Sequence, residues 1–579
     1  MHHPNTTPLK SSYFDYKIYP FHKPPEFAAI NEQSHPVVIV GAGPIGLVLA
    51  IQLRKHGIPC VLIDSEAQVS GGSRAVALTK RSMEIIEQSN AAPRFLKKAI
   101  TWREGRSFYR NRVVHHLQLP YRQDDKFEPM TNLAQCMMED ILVDEAQAQG
   151  VDLRFQTALT AMQHGTEGAV LTLDTPQGEY RLKADWVVAC DGARSTVRRL
   201  MGLRYDGNSF ETRFVIVDFK IDLDEPAGRR CYFEPPWLPA GQTALMHKTP
   251  LGVWRLDYQV PEGLTDEQAL DPERIRADVR AHLKYIGVDL PWEIEWTTLY
   301  KPNALTLSKY NHGRVIFCGD SAHLLPVFGV RGMNTGVQDS INLGWKLAAV
   351  IKGQAAPQIL DTYSDERVAD ARQICVEAGR STRMMAPPTR GHRILQRAVL
   401  SLALDHEWIR DLLHWRTSHP IDYAQSPLTQ VDATDSSFAG GPAPGAPARN
   451  AKLDPANPKA GWLLDHFGPA FHVLVFGSDK HLLDGVIEDV RDLRRRGIEI
   501  RVLAIQREVS PPVAPAGVDV VLSDPAGHVS TLWGCDASAV YVLRPDQHVC
   551  ARWMPPSRMR VSEAIQHALM NPVSNAVAA

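Results

Sequence analysis

A glycine turn near the N-terminus has the residue types and spacing that bind a nucleotide diphosphate. Gly41, Gly43 and Gly46 follow the apolar run 37–40 and open an amphipathic segment. The first glycine makes the turn, the second lets the backbone approach a pyrophosphate, and the third lets helix and strand pack closely. Asp64 ends the next apolar run, 64 − 41 = 23 residues further on. A carboxylate at that place accepts hydrogen bonds from a ribose, so the pattern predicts a bound dinucleotide.

A second loop of the same kind lies far along the chain. Gly319 and Asp320 follow the apolar run 314–318, and residues 329–334 lead through a glycine-rich stretch into a helical pattern. Such a loop offers backbone N–H groups to another part of one long ligand. The glycine fingerprint occurs only once, so any second nucleotide binds transiently. A flavin dinucleotide has the required length, with its ribityl chain near Asp320; an ordinary helix-capping loop is the alternative.

Composition limits the other functional classes. The chain has 579 residues, 44% of them hydrophobic and 22% charged, which is typical of about three or four globular domains. The formal charge of −2 gives no reason to expect a nucleic acid or an anionic membrane as partner. Eight cysteines without a C-x-x-C pair fit a reduced cytosol and exclude a zinc ribbon, and no metal is expected. Residues 1–10 lack an apolar leader, so we expect a cytoplasmic protein.

The pattern of elements predicts an α/β protein with an inserted sheet. A strand–helix–strand start is followed by short alternating runs between 210 and 300, which indicate an antiparallel sheet, and an α/β pattern restarts after a Gly/Pro-rich stretch. We predict an extended arm (1–35), nucleotide-binding segments (36–113, 131–204 and 301–360), segments of a substrate-binding sheet (114–130 and 205–300), a helical segment (361–435), a linker (436–460) and a C-terminal domain (461–579).

These motifs together resemble a known family. The segment Asp191-Gly192-Ala193-Arg194-Ser195-x-x-Arg198, the 342–347 helix and both glycine loops are similar, over residues 36–400, to single-component FAD-dependent aromatic hydroxylases. These are the group A flavoprotein monooxygenases with the para-hydroxybenzoate hydroxylase fold. Residues 543–553 resemble the thioredoxin-like tail of the phenol hydroxylase and 3-(3-hydroxyphenyl)propionate hydroxylase branch. The tail has no cysteine pair, which favours a structural or dimer role.

The resemblance implies a Rossmann-like FAD-binding domain, an inserted, mainly antiparallel β-sheet substrate domain, and a thioredoxin-like C-terminal domain. At Asp191 a structural strand-to-helix turn remains the alternative to cofactor binding. Arg331 stands where many relatives have glutamine, and it is either a fixed cation beside the flavin or a phosphate- or surface-facing side chain. The implied FAD contacts are Gly41, Gly43, Pro44, Gly46, Asp64, Ser65, Arg74, Gln135, Asp191, Asp320, Gly332, Met333 and Asn334.

The resemblance also implies the reaction. NAD(P)H reduces FAD, O2 adds to give a flavin C4a-hydroperoxide, and a phenolic or related electron-rich aromatic ring attacks its distal oxygen. Arg255 falls where relatives place a mobile arginine, and His323 is expected to make a structural hydrogen bond. In the sheet segment, satisfied packing is the alternative to catalysis for every polar residue. The candidates for catalysis are Arg255, Tyr232, His247, Tyr258 and Arg331.

Several other functions remain open at this point. The same fold could carry out oxidative decarboxylation, ring cleavage or Baeyer–Villiger insertion. A halogenase is disfavoured because residues 292–296 do not match its Trp-x-Trp-x-Ile-Pro segment. A nicotinamide-dependent dehydrogenase would leave the second loop unexplained, and a non-catalytic flavin-binding protein would leave the intact glycine and aspartate set unexplained. We expect a small aromatic substrate and a homodimer.

Overall fold

The computed structural model describes residues 1–27, 34–326, 328–413, 420–508 and 514–571. These residues form both helices and several sheets, which confirms the α/β fold class. In this part of the chain, none of the helices combines the length and the apolar character that crossing a membrane requires.

The strands are numbered in chain order. They are β1 (Ser34–Val40), β2 (Cys60–Ile63), β3 (Ala77–Thr79), β4 (Ile100–Trp102), β5 (Glu104–Tyr109), β6 (Arg112–Gln118), β7 (Met130–Asn132), β8 (Asp152–Arg154), β9 (Ala158–His164), β10 (Ala169–Thr175), β11 (Gly178–Ala189), β12 (Asp206–Ser209), β13 (Phe214–Ile221), β14 (Arg229–Phe233), β15 (Thr243–Lys248), β16 (Val253–Gln259), β17 (Trp292–Tyr300), β18 (Asn303–Thr306), β19 (Asn311–His312), β20 (Val315–Phe317), β21 (His323–Leu324), β22 (Phe471–Phe476), β23 (Ile500–Gln506), β24 (Val520–Ser523), β25 (Ala539–Leu543) and β26 (Val549–Trp553).

The α-helices are numbered in the same way. They are α1 (Pro44–Lys55), α2 (Lys80–Gln88), α3 (Ala92–Lys98), α4 (Gln135–Ala148), α5 (Thr196–Leu200), α6 (Asp266–Ala269), α7 (Pro272–Tyr285), α8 (Gly332–Ile351), α9 (Ile359–Met385), α10 (Arg390–Ala403), α11 (Lys480–Arg495), α12 (His528–Leu532) and α13 (Val561–Ala568). Short 3-10 helices lie at Pro25–Phe27, Gly319–Ser321, Glu407–Leu412, Asp435–Ser437 and Leu463–His466.

The first sheet contains both ends of the predicted nucleotide-binding pattern. Its strand β1 lies between β11 and β2 and is parallel to both, with β8 and β20 continuing the sheet outward. The side chains of the central strands β1 and β2 are mostly apolar and buried. This is typical of parallel strands, because helices cover both faces of a parallel sheet. Both α1 and α8 pack into the same core. The carboxyl ends of β1, β11 and β20 therefore meet at one edge, where the predicted binding loops follow.

The large sheet has seven strands in the order β17-β13-β16-β15-β14-β5-β6. Its pairs are antiparallel except β14 with β5, as the short alternating runs predict. One face packs its apolar side chains on α7, and we call the opposite one the inner face. Because neighbouring residues of a strand point to opposite faces, each strand supplies alternate residues to the inner face.

Two predicted boundaries differ from the structure. The large sheet already begins at Glu104, not at 114, because β5 pairs with β14 and β6 pairs with β5. The predicted linker 436–460 is packed rather than free. Gly445 donates its N–H to the carbonyl of Val549, and the Arg552 side chain binds the carbonyls of Gly440 and Pro442. Glycines that signal a linker by composition here allow close backbone contact with the C-terminal sheet.

The C-terminal sheet has the order β24-β23-β22-β25-β26, with β22, β23 and β24 parallel and β25 and β26 antiparallel. The C-terminal domain contains Cys535, in the loop before β25, and Cys550, in β26. Both cysteines are buried and free. A thioredoxin-like classification of this domain stays a prediction.

A buried ion cluster joins the C-terminal sheet to α8 and α9. Glu366 of α9 accepts hydrogen bonds from Lys346 of α8 at 2.7 Å and from Arg544 at 2.7 and 3.1 Å. Asp546 pairs with Arg544 at 2.5 Å and accepts the indole N–H of Trp345 at 3.1 Å. Each charge is held by an opposite one, as burial requires.

Residues 1–27 of the N-terminal arm contain no strand or α-helix and contact the nucleotide-binding segments. Tyr19 donates its N–H to the carbonyl of Ala67, and the Lys17 ammonium binds Asp140 of α4 at 2.8 Å. The Tyr16 hydroxyl accepts the N–H of Gly72 at 2.9 Å. These contacts fix the loop that follows β2.

Candidate active site

The first glycine turn has the shape that a pyrophosphate needs. Gly41 has φ +106°, and a Cβ there would lie 2.5 Å from the carbonyl oxygen of Cys190. A Cβ on Gly46 would lie 2.0 Å from the Gly41 carbonyl oxygen. By contrast, nothing lies within 4 Å of a Cβ position on Gly43. The outer two glycines are therefore required by packing, while Gly43 leaves free space at the N-terminus of α1, where Pro44 occupies the first helical position.

Asp64 ties the glycine turn to the end of β2. Its Oδ2 accepts the N–H of Ala42 at 2.7 Å and its Oδ1 accepts the N–H of Glu66 at 2.9 Å. Each carboxylate oxygen can accept a further hydrogen bond, such as one from a ribose hydroxyl. Ser65 follows directly, and its carbonyl binds the ring of His2 at 2.7 Å. The arm thus reaches the adenosine end of the predicted site.

Gln135 holds the loop 70–75 with its side-chain amide. Its Oε1 accepts the N–H of Ala75 at 3.2 Å, and its Nε2 donates to Glu139 at 2.8 Å. Glu139 also accepts the N–H of Ser70, and burial raises the pKa of this carboxyl to about 7. The amide is thus used within the protein, and a direct contact of Gln135 with FAD stays a prediction. Arg74 lies in the same loop, and its side chain is exposed.

Asp191 lies two residues after the end of β11, beside the first glycine turn. Its Oδ2 accepts the N–H of Val197 at 3.0 Å, which is the structural turn that we kept as the alternative. Its Oδ1 is buried and has no hydrogen-bond partner within the described protein. Burial raises the pKa of this carboxyl. A buried oxygen without a donor is costly, so Asp191 fits a position beside a ligand that brings a donor.

One buried carboxylate stabilises the second loop through hydrogen bonds. Asp339 of α8 accepts the N–H of Gly319 at 3.1 Å, the His323 ring at 2.7 Å and the Arg367 guanidinium at 2.5 Å. Burial alone would raise the pKa of Asp339, but Arg367 and His323 lower it to about 2. The structural hydrogen bond expected of His323 is confirmed. Asp320, next to Gly319, keeps an exposed side chain.

The beginning of α8 lies beside the strand β3. The Asn334 side chain donates to the carbonyls of Ala77 and Val330 and accepts the N–H of Thr79, so it fixes the helix to β3. Gly332 is the first helical residue, and nothing lies within 4 Å of a Cβ position there. Met333 is partly buried. The predicted ring contacts are therefore placed by one helix N-terminus.

The Arg331 guanidinium is buried and pairs with Glu377 of α9 at 3.3 Å. The alternative that the Arg331 side chain faces the surface is therefore wrong. The carboxylate compensates part of the positive charge that we expected beside the flavin. A direct role of Arg331 toward the ring stays a prediction.

The inner face of the large sheet closes the site. Arg255 makes a bidentate pair with Asp218, at 2.8 and 2.9 Å, and donates to the backbone carbonyls of Ser73 and Arg74. At the other side, Phe214 packs edge-on against Phe328, with ring centres 5.3 Å apart. The sheet thus meets the loop 70–75 through Arg255 and the second loop through Phe328. Arg255 is a fixed clamp in this state, and its mobility stays a prediction.

Two predicted catalytic tyrosines do not reach this site. Tyr232 and Tyr258 lie on the opposite face of the sheet, in the core under α7. Tyr232 packs edge-on against His282, and Tyr258 packs edge-on against Trp237. Their assignment to catalysis is wrong because strand alternation sends both side chains away from the inner face. Of the polar sheet candidates, Arg255 and His247 remain on the inner face.

Sequence reasoning missed three acidic residues of the site: Glu139 and Asp339, which position the two loops, and Asp257, which lies on the inner face next to His247. The His247 Nε2 is 3.6 Å from the Asp257 Oδ2. A signal for Asp257 was available, because Arg255, Asp257 and Gln259 alternate with large apolar residues along β16. Within the described residues no group of three or more His, Cys, Asp or Glu could hold a metal ion.

Replacing Asp339 by asparagine should weaken FAD retention. Asparagine carries no charge for Arg367, so the Gly319 turn loses its support while the remaining contacts persist. FAD content after dialysis should fall several-fold relative to the parent chain. The control is Asp361→Asn, which alters a half-exposed carboxylate at the start of α9. Equal FAD content in the Asp339 variant and the parent would contradict the role of Asp339.

The residues present fit FAD. The first turn leaves space for a pyrophosphate at Gly43, Asp191 has a buried oxygen without a donor, and α8 directs a helix N-terminus to the crevice. These features follow the carboxyl ends of β1, β11 and β20 in the first sheet, and the large sheet contacts the adjoining loops through Arg255 and Phe328. They match an extended ligand with an anionic middle and an electron-rich ring at one end.

Comparisons with known proteins agree with the assignment of an FAD site. Residues 34–378 match the family model described as "FAD binding domain". The rifampicin monooxygenase of Streptomyces venezuelae is 32% identical over 342 residues, covering 58% of this chain and 69% of that protein. The 3-(3-hydroxy-phenyl)propionate/3-hydroxycinnamic acid hydroxylase of Mycolicibacterium smegmatis is 26% identical over 526 residues, covering 88% of this chain and 89% of that protein.

Solved structures share the fold across nearly the whole chain. The flavin-dependent monooxygenase PieE, in complex with FAD and substrate, superimposes with a TM-score of 0.75 at 24% identity, covering 93% of this chain and 100% of that one. Aklavinone-11 hydroxylase, in a ternary complex with FAD and aklavinone, gives a TM-score of 0.71 at 22% identity, covering 94% and 99%. The chain belongs to the FAD binding domain family and is an FAD-dependent monooxygenase.

Proposed function

We propose that this enzyme hydroxylates a phenolic or related electron-rich aromatic ring with NAD(P)H and O2, and that the ring binds between the N-terminus of α8 and the inner face of the large sheet. One observation carries the proposal. The inner face is joined to the loop 70–75 by Arg255 and to the second loop by Phe328, so the inner-face residues between these two contacts adjoin the predicted flavin position.

The inner face combines an apolar part with one polar place, which suits an aromatic ring with one polar substituent. Leu245, Phe214 and Cys231 belong to its buried apolar part, and the Cys231 Sγ lies 3.9 Å from the Met385 Sδ. Polar side chains of the inner face, His247 and Asp257, interrupt this surface at one place. Mostly apolar pockets with a few directed polar groups are typical of small-molecule sites.

The chain's own residues have defined tasks in this reaction. When bound, FAD supplies the electron transfer and the activation of oxygen. The glycine turn and Asp64 would hold its diphosphate and ribose, and the α8 N-terminus stabilises negative charge at the ring. Arg255 fixes the loop over the ring, and the apolar wall keeps water from the reacting atoms.

The names of relatives support a phenolic substrate. The relative from Mycolicibacterium smegmatis, which matches 88% of this chain, is named for hydroxylation of hydroxyphenyl propionate and hydroxycinnamic acid. The rifampicin monooxygenase matches a shorter part of the chain. We therefore favour a small hydroxylated aromatic compound.

A homodimer in the cytoplasm belongs to this proposal. Ile394, Leu395 and Leu402 are exposed on one side of α10, and Trp408 is exposed after it. Clustered exposed apolar side chains favour association between copies. The eight cysteines are free, which suits a reducing compartment.

The experiment is NAD(P)H oxidation by the purified holoenzyme with a panel of phenols. A suitable phenol should accelerate the oxidation manyfold, and the product should carry one oxygen atom from O2. The matched control is the methyl ether of each phenol, which keeps the ring but lacks the hydroxyl proton. If no phenol accelerates NAD(P)H oxidation, the proposed function is wrong.

A further inference from the structure

Asp257 lies in the middle of the inner face, in a row where its neighbours are apolar. The strand register places Asp257 of β16 between Ile216 of β13 and Leu245 of β15, with Cys231 of β14 next in the same row. An ionisable side chain at such a place suggests a function, because a buried charge is costly without a partner.

The position of Asp257 relative to the two loops is fixed by its neighbours. Arg255, two residues earlier on the same face, contacts the carbonyls of Ser73 and Arg74. Phe214, in the row on the other side of Asp257, contacts Phe328 of the second loop. Asp257 therefore lies between the two walls of the proposed ring site.

The two carboxylate oxygens of Asp257 have different surroundings. The Oδ1 atom is buried and has no hydrogen-bond partner within the described protein. The Oδ2 atom is 3.6 Å from the His247 Nε2, too far for a good hydrogen bond. A buried acceptor without a donor is complete only when a ligand brings the donor.

Resting on the proposed function, we propose that the Asp257 carboxylate accepts the proton of the substrate hydroxyl and that His247 remains its neutral neighbour. The O–H bond of the substrate breaks, an O–H bond forms on Asp257, and the electron pair stays on the substrate oxygen. The product of this step is the phenolate, the more reactive form of the ring toward an electrophilic oxygen.

The charges around the pair explain why the acceptor is the carboxylate rather than the imidazole. Burial raises the pKa of Asp257 to about 7, although Arg255 and Arg229 lower it; Asp218 raises it. Burial also lowers the pKa of His247 well below its usual range, and Arg229 and Arg255 add to that effect. The usual order of the two side chains is thus reversed, and at neutral pH Asp257 is the stronger base.

The test compares two phenols in the holoenzyme and in Asp257→Asn. With phenol as the probe, the variant should lose about 100-fold in phenol-stimulated NAD(P)H oxidation at neutral pH, the effect of a lost general base. With 2,3,5,6-tetrafluorophenol, which ionises far more readily, the loss should be much smaller. In the parent chain the rate with phenol should rise as pH rises through about 7, because only the ionised carboxylate accepts a proton. The variant should lack this rise.

Controls separate the possible failures. FAD content reports folding of the variant, and Asp222→Asn removes an exposed carboxylate just after β13 without effect on either phenol. A second variant, His247→Gln, should keep the rise with pH, because a neutral side chain replaces a neutral one. An equal loss with both phenols, or an unchanged rate with phenol in Asp257→Asn, would overturn this inference and leave the proposed function standing. No stimulation by either phenol in the parent chain would overturn both.

Discussion

Replacing Gly43 by alanine is expected to leave the chain folded but largely free of FAD. The backbone of Gly43, with φ −71° and ψ 179°, suits alanine, and nothing lies within 4 Å of the new Cβ. The methyl group would occupy the space through which the pyrophosphate approaches α1. FAD affinity should fall by about tenfold or more, the effect of losing about 1.4 kcal/mol of binding free energy. Fluorescence titration of the apoprotein with FAD measures this.

Two other glycines make the comparison specific. Gly485→Ala also adds a methyl group to open space, but in α11 of the C-terminal domain, where alanine favours the helix. It should leave FAD affinity unchanged. Gly46→Ala meets the Gly41 carbonyl at 2.0 Å and should disturb the turn itself, with loss of stability as well as FAD. Parent-like FAD affinity in Gly43→Ala would show that the turn does not hold the pyrophosphate.

Replacing Glu366 by glutamine should destabilise the protein strongly. Arg544 and Lys346 hold the pKa of Glu366 far below its usual range, even though burial raises it. Without the negative charge, the buried Lys346 loses its salt-bridge partner. Breaking a buried ion pair in this way costs about 3–5 kcal/mol in the free energy of unfolding. Denaturant unfolding followed by tryptophan fluorescence gives the change.

The pH dependence of this variant provides an independent check. Burial lowers the pKa of Lys346 to about 8, despite Glu366. Losing Glu366 lowers that pKa further, and the penalty is full while the folded-state lysine is protonated. The deficit relative to the parent should therefore shrink as pH rises toward about 8 and stay constant above it, because beyond that pH the lysine is neutral in both folded chains. The control, Glu488→Gln, alters an exposed pair with Arg491 and should change stability by less than about 1 kcal/mol. Equal effects of the two substitutions would contradict the structural importance of the buried cluster.

The glycine turns were predictable because their requirements are local. Gly41, Gly46 and Asp64 act through backbone geometry within one strand–helix–strand unit, so their spacing alone indicated the turn. Asp339 was not predictable in this way. Its three partners come from the second loop and α9, and only tertiary packing brings them together.

The large sheet shows a second reason why part of the site could not be predicted from the sequence. Alternation along β16 separates Trp254, Leu256 and Tyr258 from Arg255 and Asp257, but it does not say which set faces the cofactor. The packing of α7 decides this by covering the first set. The hydroxyl of Tyr258 suggested catalysis, whereas its apolar neighbours on the same face already indicated the core. Glycine and proline composition likewise predicted the linker 436–460 but does not report its backbone pairing with the C-terminal sheet.

The central claim is that two backbone turns hold the opposite ends of one FAD molecule, with the ring facing the inner face of the large sheet. A crystal structure of the purified holoenzyme tests it most directly. We predict the diphosphate at Gly43 and the start of α1, the ribityl chain beside Asp320, and the ring between Gly332 and the strand that carries Asp257. An FAD molecule whose ring lay away from α8, or a crevice that stayed empty in crystals soaked with FAD, would contradict the account.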